Sequence, residues 1–456
     1  MYRFRKIENL LGEREELVKQ EIYFSDIASL NDPMEGFREY FWSGDLVVWK
    51  NLLRHYLLCL EHVCLLAYLK EELFTPEDIP VFLEEEELPT EQYKQMFREI
   101  CGRFFEIEGV NDYLEFLDSS PRKISREELY HHLRSMHLLA FDIITEIYRE
   151  RYELQPERSI SYSAHSSRLK QSVEAWRKIG NDEENLRKIR DFPSRSTELE
   201  LVKGHESIPI AKRNWSAIIT DFPNDYLNEV VKLVYPEGYV ACFMDDCTNA
   251  AVWAHYGDGH KGVCLKFKTT EKNGCLAIDL GRITDQNRSR PVYDCQTFSF
   301  RKINYSNQFP SIDFFRSMGR LPMPQLLRQW YADQDGNCSQ CASWTNDGAI
   351  GDWRKEHWDN YDRGFFIKLK DWEYEREQRL LLSSALDTYK MPETRKLTYK
   401  FEDLEAIIFG MRMRVEDKVK IKEIIDSKCK ENNRNNFDFY QADYSSSLGK
   451  MVINKI

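Results

Sequence analysis

The sequence predicts an α+β protein: a mixed or antiparallel sheet core built from its N- and C-terminal segments, with a large α-helical insertion between them. Two observations predict it. Short runs of β-branched and aromatic residues, bounded by Gly, Asp or Lys, gather near the two ends. Long charge-rich stretches with apolar residues three or four apart fill the middle. On that pattern residues 1–38 are the first part of the core, 39–235 the helical insertion and 236–456 the remainder of the core. A chain can leave a sheet and return to it, because loops and termini lie at the surface and tolerate insertion.

Taken in order, the first zone holds a strand-like run at 21–25, Glu-Ile-Tyr-Phe-Ser. Helices are expected over Leu46–Leu69, 90–105, 126–152 and 166–190, punctuated by Pro76, Pro80, Pro89, Pro121, Pro156 and Pro193. The four carboxylates Glu84, Glu85, Glu86 and Glu87 read as a solvated loop or a helix start. Beyond residue 235 the pattern shifts to strands at 239–243, 262–267, 380–383, 397–401 and 404–409, with helices at 248–256 and 415–427. There is no internal repeat and no heptad array.

Composition narrows the class. A chain of 456 residues with 13% aromatics buries a large core and is not disordered. The net charge of −12 argues against a general nucleic-acid coat, since phosphate contacts dominate such binding, though a local basic groove is compatible with it. The opening Met1-Tyr2-Arg3-Phe4-Arg5-Lys6 leads into polar sequence rather than an apolar leader, so the 11 cysteines are expected as reduced thiols of a cytoplasmic protein. Leu46–Leu69 is the one membrane candidate, and it carries Lys50, Arg54, His55, Glu61 and His62. Each charge at a bilayer centre costs about 2.5–3.5 kcal/mol, so a buried helix of a protein without a membrane partner is expected.

Several motifs bear on chemistry. Gly257-Asp258-Gly259-His260-Lys261-Gly262 spells G-x-G-x-x-G, yet a helix precedes it and a strand follows. A dinucleotide loop needs the reverse order, so a Gly-rich helix C-cap is expected. Cys338-Ser339-Gln340-Cys341 is a lone C-x-x-C without a second pair, which reads as loop cysteines rather than zinc ligands. No nucleophile elbow, zincin, Walker or kinase signature is present.

Trp253-Ala254-His255-Tyr256 ends the helix before the Gly loop. Trp253 and Tyr256 share a face and His255 lies on a neighbouring one, either as core packing or as a ring platform beside a titratable group. Asn31-Asp32-Pro33-Met34-Glu35 suits a rigid turn, or a turn that aims Asn31 and Glu35 into a cleft. Trp372-Glu373-Tyr374-Glu375-Arg376-Glu377-Gln378-Arg379 runs into an apolar strand. As a helix end it pairs Glu375 with Arg379. As a strand it points Glu373, Glu375, Glu377 and Arg379 one way, which suits only a polar cleft.

These motifs together resemble one family. Tyr2-Arg3-Phe4-Arg5, Ile22-Tyr23-Phe24-Ser25, Leu30 to Glu35, Ala241-Cys242-Phe243, Trp253 to Gly257 with His260 to Leu265, Trp372 to Arg379 and Leu404 to Gly410 are similar, in order, to the bacterial domain of unknown function 2971 family. The resemblance covers about the first 38 residues and most of 239–425; the long insertion and Gln378, where an aromatic is usual, depart from it. The order of strand, Ser-ending strand and late Glu further resembles ADP-ribosyltransferase-like folds. That resemblance implies NAD as substrate and no metal. It places Glu377, Glu375 and Arg379 in the catalytic set, and Arg3 and Arg5 at the pyrophosphate. Ser25 would buttress the site, Asn31 and His255 would line it, and Tyr256 or Trp253 would supply a ring face. Tyr2 or Arg3 stands where the first-strand His of such folds is usual.

The first functional expectation is therefore an ADP-ribosyltransferase-like transferase acting on NAD. It would be a toxic effector in bacterial phage defence or a toxin–antitoxin pair, with a protein or nucleic-acid target and a protein partner at the helical insertion. The alternatives are a metal-dependent nuclease using Asp32, Glu35, Glu375 and Glu377, and a non-catalytic sensor or interaction module whose insertion is the partner surface.

Overall fold

The strand nearest the start of the sequence sits in the middle of the principal sheet. The structure, a computed structural model, describes residues 1–69, 75–120, 122–152, 161–180, 182, 184–187, 210–272, 274–287, 290–345, 348–384 and 388–456. The fold is α+β, and the chain divides into two compact units. The first comprises Met1–Phe37, Pro236–Pro310 and Tyr361–Ile456, and the second Arg38–Tyr235 and Ser311–Asn360.

In the first unit nine strands form the principal sheet: β1 (Tyr2–Arg5), β2 (Ser25–Asp26), β3 (Gly238–Met244), β4 (Val263–Phe267), β5 (Arg301–Lys302), β6 (Glu377–Ser383), β7 (Leu404–Phe409), β8 (Asp438–Ser445) and β9 (Lys450–Lys455). Their order is β5-β6-β3-β1-β4-β7-β8-β9, with β2 also pairing β3. All pairs are antiparallel except β7 with β8, which are parallel and joined through the helix Val415–Glu431, so the sheet is mixed. A second sheet contains Glu21–Tyr23, Lys396–Tyr399, Cys275–Asn287 and Arg290–Ser299.

Strand alternation then separates core from site. Tyr239, Ala241 and Phe243 of β3 join Leu380 and Leu382 of β6 in a core that also takes Ile22, Ile278, Leu280 and Leu397 of the second sheet. Each such buried Leu, Ile or Phe side chain stabilises the unit by about 1.5–3 kcal/mol. The intervening residues point the other way. Glu377 pairs with Met244 and Arg379 with Cys242, so these four side chains share the face opposite the core.

The run at 21–25 is divided between sheets: Glu21–Tyr23 pairs Lys396–Tyr399, while Ser25 turns to pair Val240. The strand expected at 397–401 ends at Tyr399, and residues Phe401–Asp403 form a 3₁₀ turn.

The second unit is mainly helical: Leu46–Leu69, Glu91–Phe105, Glu108–Asp118, Arg126–Arg151, Tyr162–Ile179, Ile210–Thr220 and Phe222–Val230. Thr90, Ser125 and Ser161 cap three of these by accepting from Tyr93, Glu128 and Ala164 backbone N–H groups. The expected helix 166–190 is Tyr162–Ile179; its expected last residues, like Pro121, Pro156 and Pro193, lie outside the described residues.

Leu46–Leu69 is long and apolar enough to span a membrane by length and composition, but 61% of its apolar window is buried within the fold. Its polar groups are matched there. His55 Nδ1 lies 2.8 Å from the Tyr226 hydroxyl, and Glu61 accepts from Tyr93 at 2.6 Å and from Tyr148. Residues Ser311–Asn360, which the sequence reading leaves with the C-terminal zone, belong to this unit. Their first strand, Ser311–Asp313, pairs in parallel with Glu39–Trp42.

Candidate functional site

The turn before β6 sets the site. Residues Lys370–Glu375 form a 3₁₀ turn, Arg376 adopts a left-handed conformation with φ of 51°, and the strand begins at Glu377. A non-Gly residue there is strained and persists only where its surroundings fix it. Here the fixing is visible: Arg376 O accepts from Asp245 N at 3.3 Å, and Arg376 Nε meets Asp245 Oδ1 at 2.9 Å. The Glu377 amide donates to the Tyr305 hydroxyl at 2.8 Å. The turn replaces the helix end and the part of the strand reading before Arg376, while the strand reading holds from Glu377 onward, where the run flows into Leu380-Leu381-Leu382.

Beyond that turn lies a buried ionic cluster. Glu35 is 7% exposed, Lys368 1%, Glu375 1%, Glu377 1% and Arg379 0%, so each charge must find its partner inside. The Lys368 ammonium lies 2.7 Å from Glu375 Oε2, 3.0 Å from Glu35 Oε1 and 3.3 Å from Glu377 Oε2. Arg379 donates to both oxygens of Glu377, at 2.6 Å and 2.9 Å, to Glu35, and to Phe365 O at 2.9 Å.

Three carboxylates thus share two cations, and they divide the charge unequally. Burial alone would raise the Glu377 carboxyl, but the Arg379 guanidinium and then Lys368 bring it down to about 2. Burial wins at Glu35 and Glu375, which are raised despite Arg379 and Lys368 respectively. Lys368 is held above its ordinary value because Glu377, Glu35 and Glu375 outweigh its own burial. At neutral pH Glu377 is an anchored, permanently charged carboxylate.

The cluster closes one side of a cavity of about 130 Å³. Arg3, Arg5, Ser25, Asn31, Tyr256 and Glu377, all anticipated from the sequence, line it, together with Glu35, Cys242 and Lys368. Glu375 and Arg379 belong to the same cluster through Lys368 and Glu377. The Tyr256 hydroxyl lies 2.7 Å from Glu375 Oε1 and 2.9 Å from Asn31 Oδ1, donating to one at a time. Arg3 is buried, donates to Tyr23 O at 2.9 Å and lies 5.2 Å over the Phe243 ring; its Nη1 has no partner. Burial, then the neighbouring Arg5, lower Arg3 to about 10, so it remains cationic. Arg5 is committed to Glu16, with Nε 2.7 Å from Oε2.

Two anticipated residues are elsewhere. Trp253 is fully buried, edge-on to Phe4 at 4.9 Å, with its Nε1 donating to Cys247 O at 2.8 Å. His255 is exposed, 5.9 Å from the Trp372 ring. Of the two anticipated rings Tyr256 is the one that lines the cavity, carried there by the helix Ala250–Tyr256, whose N-cap Asn249 accepts from Ala251 and Val252. The Gly loop after that helix is the C-cap the sequence suggests. Asp258, Gly259 and His260 have positive φ, and a Cβ on Gly262 would lie 2.4 Å from Arg5 O.

Cys341 is buried with its thiol 3.7 Å from Ser43 O, while Cys338 is exposed. Among the described residues no group of three or more His, Cys, Asp or Glu side chains is arranged to hold a metal ion. Asp32 accepts from Met34 N at 2.9 Å as a turn residue, and Lys368 stands where Glu35, Glu375 and Glu377 converge.

Residues 252–380 match a family model described as a protein of unknown function (DUF2971). That stretch contains Tyr256, Lys368, Glu375, Glu377 and Arg379, whereas Arg3, Ser25, Asn31 and Glu35 precede it. No curated protein and no solved structure matches the chain.

Sequence reasoning missed Lys368, the hub of the cluster, and Cys242 as a wall residue. A signal for Lys368 existed: it is the one charge in Phe365-Phe366-Ile367-Lys368-Leu369, and a lone charge in an apolar run demands a buried partner.

Proposed function

We propose that the protein cleaves the nicotinamide–ribose bond of NAD and transfers the ADP-ribosyl group to an acceptor, in the manner of ADP-ribosyltransferase-like folds. The observation that carries this reading is the lining of one cavity by Arg3, Ser25, Asn31, Tyr256 and Glu377, drawn from four separate stretches of chain. At about 130 Å³ it is smaller than the ~300–1,000 Å³ of a drug-sized site, so it admits one ring or one ribose and leaves the rest of the dinucleotide outside.

In such a step the bond from ribose C1′ to the nicotinamide nitrogen breaks and the electron pair leaves with nicotinamide. Positive charge develops on C1′ and the ring oxygen. An ionised carboxylate fixed by Arg379 and Lys368 stabilises that charge without having to reorganise. The acceptor nucleophile then bonds C1′ and loses its proton. Arg3 Nη1 offers an unused donor to an acceptor atom of the substrate, and Tyr256 a ring edge and hydroxyl. As a toxic effector in phage defence or a toxin–antitoxin pair, the protein would modify a cellular protein or nucleic acid.

The test incubates the full chain with NAD labelled in its adenylate moiety and a cell lysate, and measures nicotinamide release and label transfer. Release and transfer by wild type, lost in Glu377→Ala, support the reading. No NAD consumption by a folded wild type, or equal rates in both proteins, overturns it. Magnesium-dependent cleavage of DNA or RNA without NAD consumption would replace it with the nuclease reading.

A further inference from the structure

The second unit carries a larger hollow, of about 550 Å³, which the proposed NAD chemistry does not use. This volume falls within the ~300–1,000 Å³ typical of small-molecule sites. Its walls are Phe41, the strand Ser311–Asp313 with Arg316 following, and the helix that begins at Ala349. Trp344 stacks on Trp353 at 3.9 Å, and Trp353 on His357 at 4.7 Å, which fixes one aromatic wall rigidly.

The charges around this wall are of both signs and mostly uncommitted. Lys123 is exposed, lies 4.1 Å over the Phe41 ring and makes no ion pair among the described residues. Arg316 lies 3.6 Å from Asp313 Oδ2, with its side chain more than half exposed. Asp352 and Glu356, one helical turn apart, share a face, are exposed, and make no ion pair among the described residues. His357 Nδ1 is buried and accepts or donates no hydrogen bond within the protein. Burial, and then Arg38, lower His357 to about 4, so it is a neutral ring with one nitrogen to offer.

A simple anion here would face Asp313, Asp352 and Glu356. A simple cation would face Lys123 and Arg316. The lining suits a ligand that combines an anionic group, hydroxyl donors and a flat apolar ring. We propose that this cavity is a second ligand site and takes a nucleotide, with its phosphate at Lys123 and Arg316, its ribose hydroxyls on Asp352 and Glu356, and its base against Phe41 and Trp353. Guanidinium and ammonium groups match phosphate oxygens, and ionised carboxylates accept from a cis-diol. His357 Nδ1 then meets a polar edge of the base.

The experiment titrates the full chain by calorimetry with adenosine and uridine 5′-monophosphates, adenosine, ribose 5-phosphate and inorganic phosphate. At least one nucleoside monophosphate should bind about tenfold or more tightly than adenosine and than inorganic phosphate, as one or two charge-assisted hydrogen bonds require. Lys123→Ala/Arg316→Ala, two exposed positions whose loss leaves the unliganded Tm near wild type, should remove that advantage; Glu377→Gln should not. The proposal is overturned if no nucleotide binds at millimolar concentration. It is equally overturned if the double variant binds as wild type does, or if binding disappears only in Glu377→Gln, which would assign the nucleotide to the first unit's cavity.

Discussion

The cavities of the two units are built on opposite electrostatic plans. In the first, Glu35, Glu375, Glu377, Lys368 and Arg379 are buried and pair with one another. In the second, Lys123, Arg316, Asp352 and Glu356 are exposed, and only Arg316 approaches an opposite charge. Burial makes an unpaired charge costly, so the first cavity comes with its ionic contacts already formed and aimed. Exposure makes an unpaired charge cheap, so the second keeps its contacts for whatever enters.

The sharpest way to break this contrast is Arg379→Met. It leaves Glu377 and Glu35 buried beside a single ammonium, and should cost about 3–5 kcal/mol by urea denaturation. Arg316→Met in the other cavity should cost under about 1 kcal/mol. Similar losses from the two substitutions would abolish the distinction. Next in size is Glu377→Gln, which removes a preorganised charge; NAD turnover should fall about 100–1,000-fold by initial rates.

Acid unfolding separates the units further. In the second unit, burial lowers His55, His137 and His357 to about 4 from an ordinary 6.5. Their contribution to stability is complete above pH 6.5 and is lost as pH falls towards 4. Asp225 and Asp313, raised mainly by burial to about 6, oppose this, gaining stability as pH falls below 6. In the first unit Glu377, lowered from 4.5 to about 2, keeps its contribution above pH 4.5 and loses it only towards pH 2. Glu35 and Glu375, raised by burial, become more stabilising as pH falls. Hydrogen exchange at pH 7, 5 and 3 should therefore show residues 46–69 and 126–151 losing protection before β3 and β6. The reverse order would contradict the assignment of charge states.

A smaller effect than that of Arg379→Met is expected of Tyr256→Phe. It deletes a hydroxyl between Glu375 and Asn31 and should cost about 0.5–1.5 kcal/mol, while changing KM for NAD more than the fold.

Much of this arrangement was legible in the sequence. Strands with uninterrupted apolar runs, such as 239–243 and 406–409, declared themselves, because central strands are buried on both faces. The family resemblance singled out Arg3, Ser25, Asn31, Tyr256 and Glu377, and these residues line one cavity. The hairpin Cys275–Asn287 with Arg290–Ser299 was not found, because its polar and apolar residues mix as in a loop. Lys368 was missed because its three partners come from residues 35, 375 and 377, and only the tertiary fold brings the first to the others. Trp253 and Tyr256 share a helix face in the sequence, as core packing or with either one as the ring platform, and a single helical turn sends the first into the core and the second into the cavity.

The placement of β1 has a consequence for when the cavity comes into being. Tyr2 pairs with both Met244 and Lys266, so the ribosome emits this central strand long before either neighbour exists. Such distant pairing is slow to form, while locally connected helices such as 126–151 can settle during synthesis. The wall that carries Arg3 is completed only after Glu377 and Arg379 have emerged. A nascent chain therefore leaves this hollow unassembled until residues 377–379 have followed the first strand out of the ribosome.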